Sequence, residues 1–313
     1  MAAIAPVVEH DGAPPVFPRR KRRKLGVYGL LVPASILIGV ALGYPLVRQF
    51  ITSFQEFGLK QQFGAPPEWV GLKNYQTLLT DPYVWTVIAR SIAFCLVNAA
   101  VTMVIGIAFA VLMQRVTRTA RMTLQISLLL AWGTPVLASM TVWQWLFNSQ
   151  YGVINWVLAN VFGMTDMAGH SWIIQPLSFF FVATVIVVWM SVPFVAFSVY
   201  AGLLQVPDET LEAAQLDGAS QRQQFWNITI PMIRPVLSIV MLLQVIWDLK
   251  VFTQIYVLQR AGAPTHETNL LGTLIYSYAG NFSKASALAT IMLVITLALT
   301  GFYIRQMLKE DEL

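Results

Sequence analysis

Apolar residues fall into six long blocks separated by polar connections. The blocks run over about residues 25–47, 85–113, 122–147, 176–204, 235–258 and 285–304, the first reading "LGVYGLLVPASILIGVALGYPLV". About 20 residues at helical rise cross a hydrocarbon core of about 30 Å, so each block is long enough to span a bilayer. The blocks are continuous and do not alternate apolar with polar, which predicts helices and not the strands of a barrel. The pattern therefore predicts an all-α, polytopic integral membrane protein with six transmembrane helices. Two connections carry structure of their own. Phe54–Tyr83, with its Pro, Gly and Asn-Tyr content, predicts an ordered cap with one short helix near Asn74. In "YGVINWVLANVF", Ile154, Val157, Leu158, Val161 and Phe162 repeat at helical spacing over too short a stretch to span, which predicts an interfacial helix.

Composition agrees with the pattern. Hydrophobic residues make up 57% of the 313 and charged residues 11%, against about 25% charged in soluble domains; mean hydropathy is +0.63. Charge adds orientation. Arg19–Lys24, Arg115, Arg118, Arg121, Arg222, Arg234, Arg305 and Lys309 fall on one side of the predicted membrane, and only Lys60, Lys73, Arg260 and Lys284 on the other. Basic residues concentrate in cytoplasmic connections, so both termini are expected in the cytoplasm. The organisation expected is a basic, mostly disordered tail at 1–24, a transmembrane domain at 25–304 and a short tail at 305–313. "RRKRRK" could be a nuclear or twin-arginine signal; the long apolar run after it, without a cleavage site, favours an uncleaved anchor. The terminal "KEDEL" reads as a solvated acidic end. Gly39 and Gly43 form a GxxxG that permits close helix packing. Cys95 lies in an apolar run and reads as a small buried residue. His10, His170 and His266 lack ligand spacing, so no metal is expected. Arg48 and Arg90 are expected to snorkel to the interfaces. Trp69, Trp85, Trp143 and Trp145 are expected in the outer aromatic belt.

One connection on the cytoplasmic side, 205–234, is long, polar and patterned for folding. Pro207-Asp208 opens a helix that Asp208 is placed to cap. Glu209 and Glu212 sit near its positive end. Asp217-Gly218 is a turn signal, and Ser220 with Gln223 forms a capping box for a second helix carrying Phe225 and Trp226. Helices that lie on lipid headgroups are usually rich in Lys and Arg. This segment carries Asp208, Glu209, Glu212 and Asp217 against Arg222 and Arg234. An acidic hairpin with small Ala213 and Ala214 is better suited to a cleft in a protein partner.

"EAAQLDGASQRQQFWNITIP" resembles the EAA coupling motif of type I ABC importer permeases, E-A-A-x3-G-x9-I-x-L-P. Glu212, Ala213, Ala214, Gly218, Ile228 and Pro231 match, with Ile230 in place of the leucine. "WVGLKNYQTLLTDPYVW" and "YGVINWVLANVFGM" are similar to the outer loops of the sugar and glycerol-phosphate subfamily, the first more to its maltose-F-like type. Where the family usually has T-G-G-G-P, the chain reads Gln259-Arg260-Ala261-Gly262-Ala263-Pro264. The resemblance implies a subunit of a binding-protein-dependent importer in a prokaryotic cell membrane. It implies as partners a second permease of similar fold, two cytoplasmic ATP-binding cassette subunits and an extracellular solute-binding protein; no nucleic acid partner is expected. It assigns coupling to Glu212, Ala213, Ala214, Asp217 and Gly218. The chain lacks G-x-x-x-x-G-K-[ST], so ATP and Mg are expected on the partner ATPases and no cofactor on this chain.

Charged groups within the membrane usually face a cavity or a partner. Asp248 lies 14 residues beyond Arg234, roughly 21 Å along a helix. Gln244, four residues earlier, shares its face. Gln244, Trp247, Asp248 and Gln254 are therefore candidates to line a path for a hydroxyl-rich solute, a sugar or oligosaccharide, with glycerol phosphate an alternative. Equally, they could bind a neighbouring helix or the partner permease. A secondary transporter should show charges in several spans, but four of the six have none. A membrane enzyme should show a catalytic cluster, and no such cluster occurs.

Overall fold

The computed structural model describes residues 24–311; the expected disordered segment therefore lies almost wholly outside the described residues. The chain divides into two compact units, Met1–Arg48 and Gln49–Leu313. The first contains helix α1 (Lys24–Ile38), which widens into a π segment, Gly39–Gly43, before α2 (Tyr44–Ser53) crosses into the second. The two glycines of the GxxxG are the ends of that π segment.

In the second unit, β1 (Gln55–Glu56) pairs antiparallel with β2 (Glu68–Trp69), with Glu56 opposite Glu68. The expected short helix is α3 (Lys73–Leu79). Asn74 holds it to the cap, its Nδ2 donating to the carbonyls of Ser53 (2.9 Å) and Gln55 (3.0 Å). α4 (Pro82–Arg115) starts where Asp81 Oδ1 accepts from the Tyr83 amide at 2.8 Å, with Pro82 in the first turn, where its missing N–H costs nothing. At its other end, Arg121 Nε donates to the Met113 carbonyl at 2.6 Å and covers the negative end of the helix dipole.

The third predicted span is not one rod. α5 (Arg118–Gly133) and α6 (Val136–Leu146) meet at 102°. Thr134 is extended (φ −74°, ψ 127°) because the ring of Pro135 excludes the helical conformation from the residue before it. α7 (Val153–Asn160) is the short outer helix expected; buried Asn155 secures it by accepting from Trp172 Nε1 (2.6 Å) and donating to the His170 carbonyl (2.8 Å). α8 (Pro176–Leu203) follows, then the polar hairpin. α11 (Arg234–Leu249) and α12 (Thr253–Arg260) form the fifth span, interrupted at 250–252. Here α9 and α10 are the hairpin helices Asp208–Leu216 and Gln221–Gln224. α13 (Leu271–Ser277) leads into α14 (Phe282–Asp311), which runs past the predicted end at Ile304. Among the described residues, five helices are long and apolar enough to cross a membrane, or six spans if the bent α5–α6 pair counts as one.

α4 and α8 pack in parallel: Phe94 meets Phe180 toward one end, and Gly106 meets Val195 toward the other. A Cβ at Gly106 would lie 2.7 Å from Val195 Cβ and 3.3 Å from the Ala196 amide nitrogen. A backbone atom cannot step aside. Gly106→Ala is expected to cost about 1–3 kcal/mol through overpacking, read as a lowered unfolding temperature of the detergent-solubilised protein, partly recovered by Val195→Gly.

One expectation about aromatic side chains needs correcting, and Arg90 has partners within the protein. Its Nη1 donates to the carbonyls of Asn269 (3.1 Å) and His266 (3.4 Å), tying α4 to the connection before α13. Tyr83, stacked on His266 with ring centres 3.9 Å apart, joins the same clasp. Trp143 is not a belt residue; it stacks on Phe147 and meets Trp189 edge-on in the core shared by α6, α8 and α12. Trp69, Trp85 and Trp145 are exposed. Cys95 is buried, as expected.

Candidate functional site

The hairpin between Leu203 and Arg234 is built by local rules. Pro207 is extended (φ −66°, ψ 132°) and takes the cap position, so Asp208 is the first helical residue and not the cap that the sequence suggests. Asp208 and Glu209 still occupy the positive end of α9, where carboxylates are favoured. α9 ends in a Schellman motif: the Ala219 amide donates to the Ala214 carbonyl (2.9 Å) and the Gly218 amide to that of Gln215 (3.0 Å). This closure needs a left-handed residue, and Gly218 has φ +85°. Ser220 then starts α10 as the expected capping box. Its amide donates to Gln223 Oε1 at 2.9 Å, and its hydroxyl accepts from the Gln223 amide at 3.4 Å. Gln224 Nε2 reaches back to the Ala219 carbonyl at 2.8 Å. Phe225–Thr229 continue as a π segment into the turn Ile230–Met232.

Exposure divides the hairpin into a free tip and a fixed base. Glu212, Ala213, Asp217 and Gly218 are exposed, Ala214 is half-buried, and Leu216 at the tip is 90% exposed. At the base, Val206 and Ile230 pack into a core with Val199 and Leu203 of α8, Ile233, and Val240 of α11. A folded element with an acidic surface and an apolar tip thus stands on the ends of two spans. It occupies the same end of the unit as the α4–α5 turn, since Arg121 lies over Tyr200 near the end of α8 at 6.0 Å.

On α11, Gln244 and Asp248 are brought together. Gln244 Nε2 donates to both carboxylate oxygens of Asp248 at 3.0 Å, and the residues are 0% and 2% exposed. Gln244 Oε1 has no hydrogen-bond partner among the described residues. Cys95 Sγ donates to the Val245 carbonyl at 3.4 Å and so sets α4 against this part of α11. Further along the same buried strip of α4 lie Asn98 and Thr102; Asn98 Oδ1 and Thr102 Oγ1 also have no partner among the described residues. A buried polar atom left without a partner is costly. The strip therefore has unmet capacity for hydroxyl or amide groups. Trp247 points elsewhere, 43% exposed, and meets Phe194 edge-on at 4.9 Å. Gln254 lies beyond the helix break on α12, where its amide contacts Met190 Sδ at 3.6 Å. Of the four candidates, the structure joins only Gln244 and Asp248. Asn98 and Thr102 were missed, although "NAAVT" inside an otherwise apolar run places two polar residues four apart on one helix face.

Comparison with known proteins fits this architecture. Residues 102–310 match the family described as "Binding-protein-dependent transport system inner membrane component". The diacetylchitobiose uptake system permease protein DasB of Streptomyces coelicolor is 42% identical over 92% of this chain and 88% of its own length. The trehalose/maltose transport system permease protein MalF of Thermococcus litoralis is 29% identical over 91% and 94%. A bacterial ABC transporter involved in the import of alginate superposes with a TM-score of 0.76 over 91% of this chain and 95% of that one, at 20% identity. A multi-pass helical chain with an exposed hairpin anchored on two spans, matched over two-thirds of its length by the family model, belongs to the inner membrane components of binding-protein-dependent ABC transport systems.

Proposed function

We propose that this chain is the permease subunit through which a sugar or oligosaccharide crosses the membrane, driven by separate ATPase subunits. The observation that carries the reading is the hairpin: folded by its own hydrogen bonds, exposed at Glu212, Asp217 and Leu216, and fixed at its base to α8 and α11. In this reading the hairpin faces the cytoplasm and sits in a groove of an ATP-binding cassette subunit, with ATP and Mg held there. Nucleotide-driven closure moves the hairpin and rocks the spans between inward- and outward-open states. Each state needs a second permease of similar fold across the path and an extracellular solute-binding protein to deliver the ligand. Support for a sugar is of two kinds. The relatives above are named for uptake of diacetylchitobiose and of trehalose or maltose. The Gln244–Asp248 pair with Asn98 and Thr102 offers amide, carboxylate and hydroxyl groups of the kind that hydroxyl-rich ligands need.

The test is reconstitution of the complete complex in proteoliposomes with ATP on the hairpin side. Labelled disaccharides are expected to accumulate only with ATP, the binding protein and the ATPase subunits all present. Equal uptake by this chain without ATPase subunits would overturn the reading.

A further inference from the structure

Three of the four basic residues that the charge pattern places on the extracellular side line one cleft. Lys60, Lys73 and Lys284 surround a volume of about 490 Å³ on the cap. They come from three separate elements, 13 and 211 residues apart in sequence, and long-range hydrogen bonds hold those elements in place. The Phe57 amide donates to Ser283 Oγ, the Ser283 amide donates back to the Phe57 carbonyl (3.2 Å), and Gly58 bridges Asn281. Lys60 is thereby fixed opposite Lys284, on the first turn of α14. Lys73 opens α3, which Asn74 ties to Ser53 and Gln55. Glu56 is the one carboxylate lining the cleft, and Glu68 lies across the strand pair from it. The balance of charge in the cleft is positive.

An aromatic residue stands beside it. The helical turn that carries Lys60 ends at Phe63, whose amide bonds to the carbonyls of Leu59 and Lys60. Phe63 is 89% exposed, with Gly64 (φ +106°) and Pro66-Pro67 fixing the loop behind it. A prominent exposed aromatic on the same turn as Lys60, next to the polar lining of the cleft, suits a protein-binding surface with an aromatic anchor and a polar rim. The strong negative lipid potential belongs to the cytoplasmic leaflet, so a lipid headgroup is the weaker match on this side.

We propose that this cleft and Phe63 form a docking surface for an acidic patch of the extracellular solute-binding protein. The proposal rests on the importer reading and adds to it which face is engaged and by what chemistry. The test uses the assembled complex in nanodiscs of zwitterionic lipid, measuring ATPase activity against the concentration of sugar-loaded binding protein. For K60E/K73E/K284E, the concentration giving half-maximal stimulation is expected to rise by about tenfold or more, with the rate in the absence of binding protein unchanged. The wild-type value is expected to rise with salt, whereas the variant's falls, because salt screens the repulsion between the introduced carboxylates and the acidic patch. Phe63→Ser should raise the half-maximal concentration at every salt level, and K60R/K73R/K284R should behave as wild type. Unchanged half-maximal stimulation in the charge-reversed variant overturns the proposal. So does a defect seen only when the nanodiscs contain anionic lipid, which would assign the lysines to headgroups. If the binding protein fails to stimulate even the wild-type complex, the importer reading falls, and this proposal falls with it.

Discussion

Glu212→Lys is expected to abolish ATP-coupled uptake while the protein still inserts and folds. Glu212 is exposed on α9, one turn from the Schellman closure, and no core residue depends on it. Replacement therefore leaves the bundle alone and acts on the docked state. In the proposed docked state, a lysine in place of this carboxylate would leave an uncompensated charge at about 3–5 kcal/mol, which would lower coupling on the order of 100-fold or more. The check is paired: sugar uptake in proteoliposomes, and recovery of the ATPase subunits with the solubilised permease. Normal uptake by a correctly inserted variant would count against the hairpin as the coupling element.

The second large effect concerns the Gln244–Asp248 pair. Asp248→Leu leaves the Gln244 amide buried without its acceptor, at a cost of about 1–3 kcal/mol, whereas removing both partners is nearly neutral. The single variant should therefore unfold at lower temperature, and Gln244→Leu/Asp248→Leu should recover most of that loss. Uptake should behave differently. If the pair serves the sugar path, the double variant remains stable but transports at about one-tenth of the wild-type rate or less, because unmet polar groups cannot be replaced by methyls in recognition. A stable double variant with wild-type uptake would show that the pair serves stability alone.

The hairpin was almost fully legible in the sequence because local rules build it. Gly218 is the left-handed position that closes α9, and Ser220 with Gln223 starts the next helix as their spacing implies. The displaced cap shows the limit of such reading: Pro207 and Asp208 compete for one position, and the extended proline takes it. The bend between α5 and α6 was signalled by Gly133-Thr134-Pro135, but average hydropathy runs straight across those residues. The contacts of Arg90 and Trp143 were hidden for a different reason. Their partners lie in distant segments (Asn269 for Arg90, Trp189 for Trp143), and side chains of those types look the same in sequence whether they face lipid or a neighbouring helix. The lysine cleft was likewise invisible, since its members come together through long-range bonds, Phe57 and Gly58 with Ser283 and Asn281, and Asn74 with Ser53 and Gln55.

Val206 and Ile230, at the foot of the hairpin, share packed contacts with both the end of α8 and the beginning of α11. Interiors this dense have low compressibility and pass strain on. In the proposed importer, a push on Leu216 would thus not be absorbed as slack in a tether; it would reach both rods in phase, as a crank turns two shafts keyed to one hub. The helix bearing Asp248 and the helix bearing Met190 and Phe194 would receive the same stroke from the proposed motor.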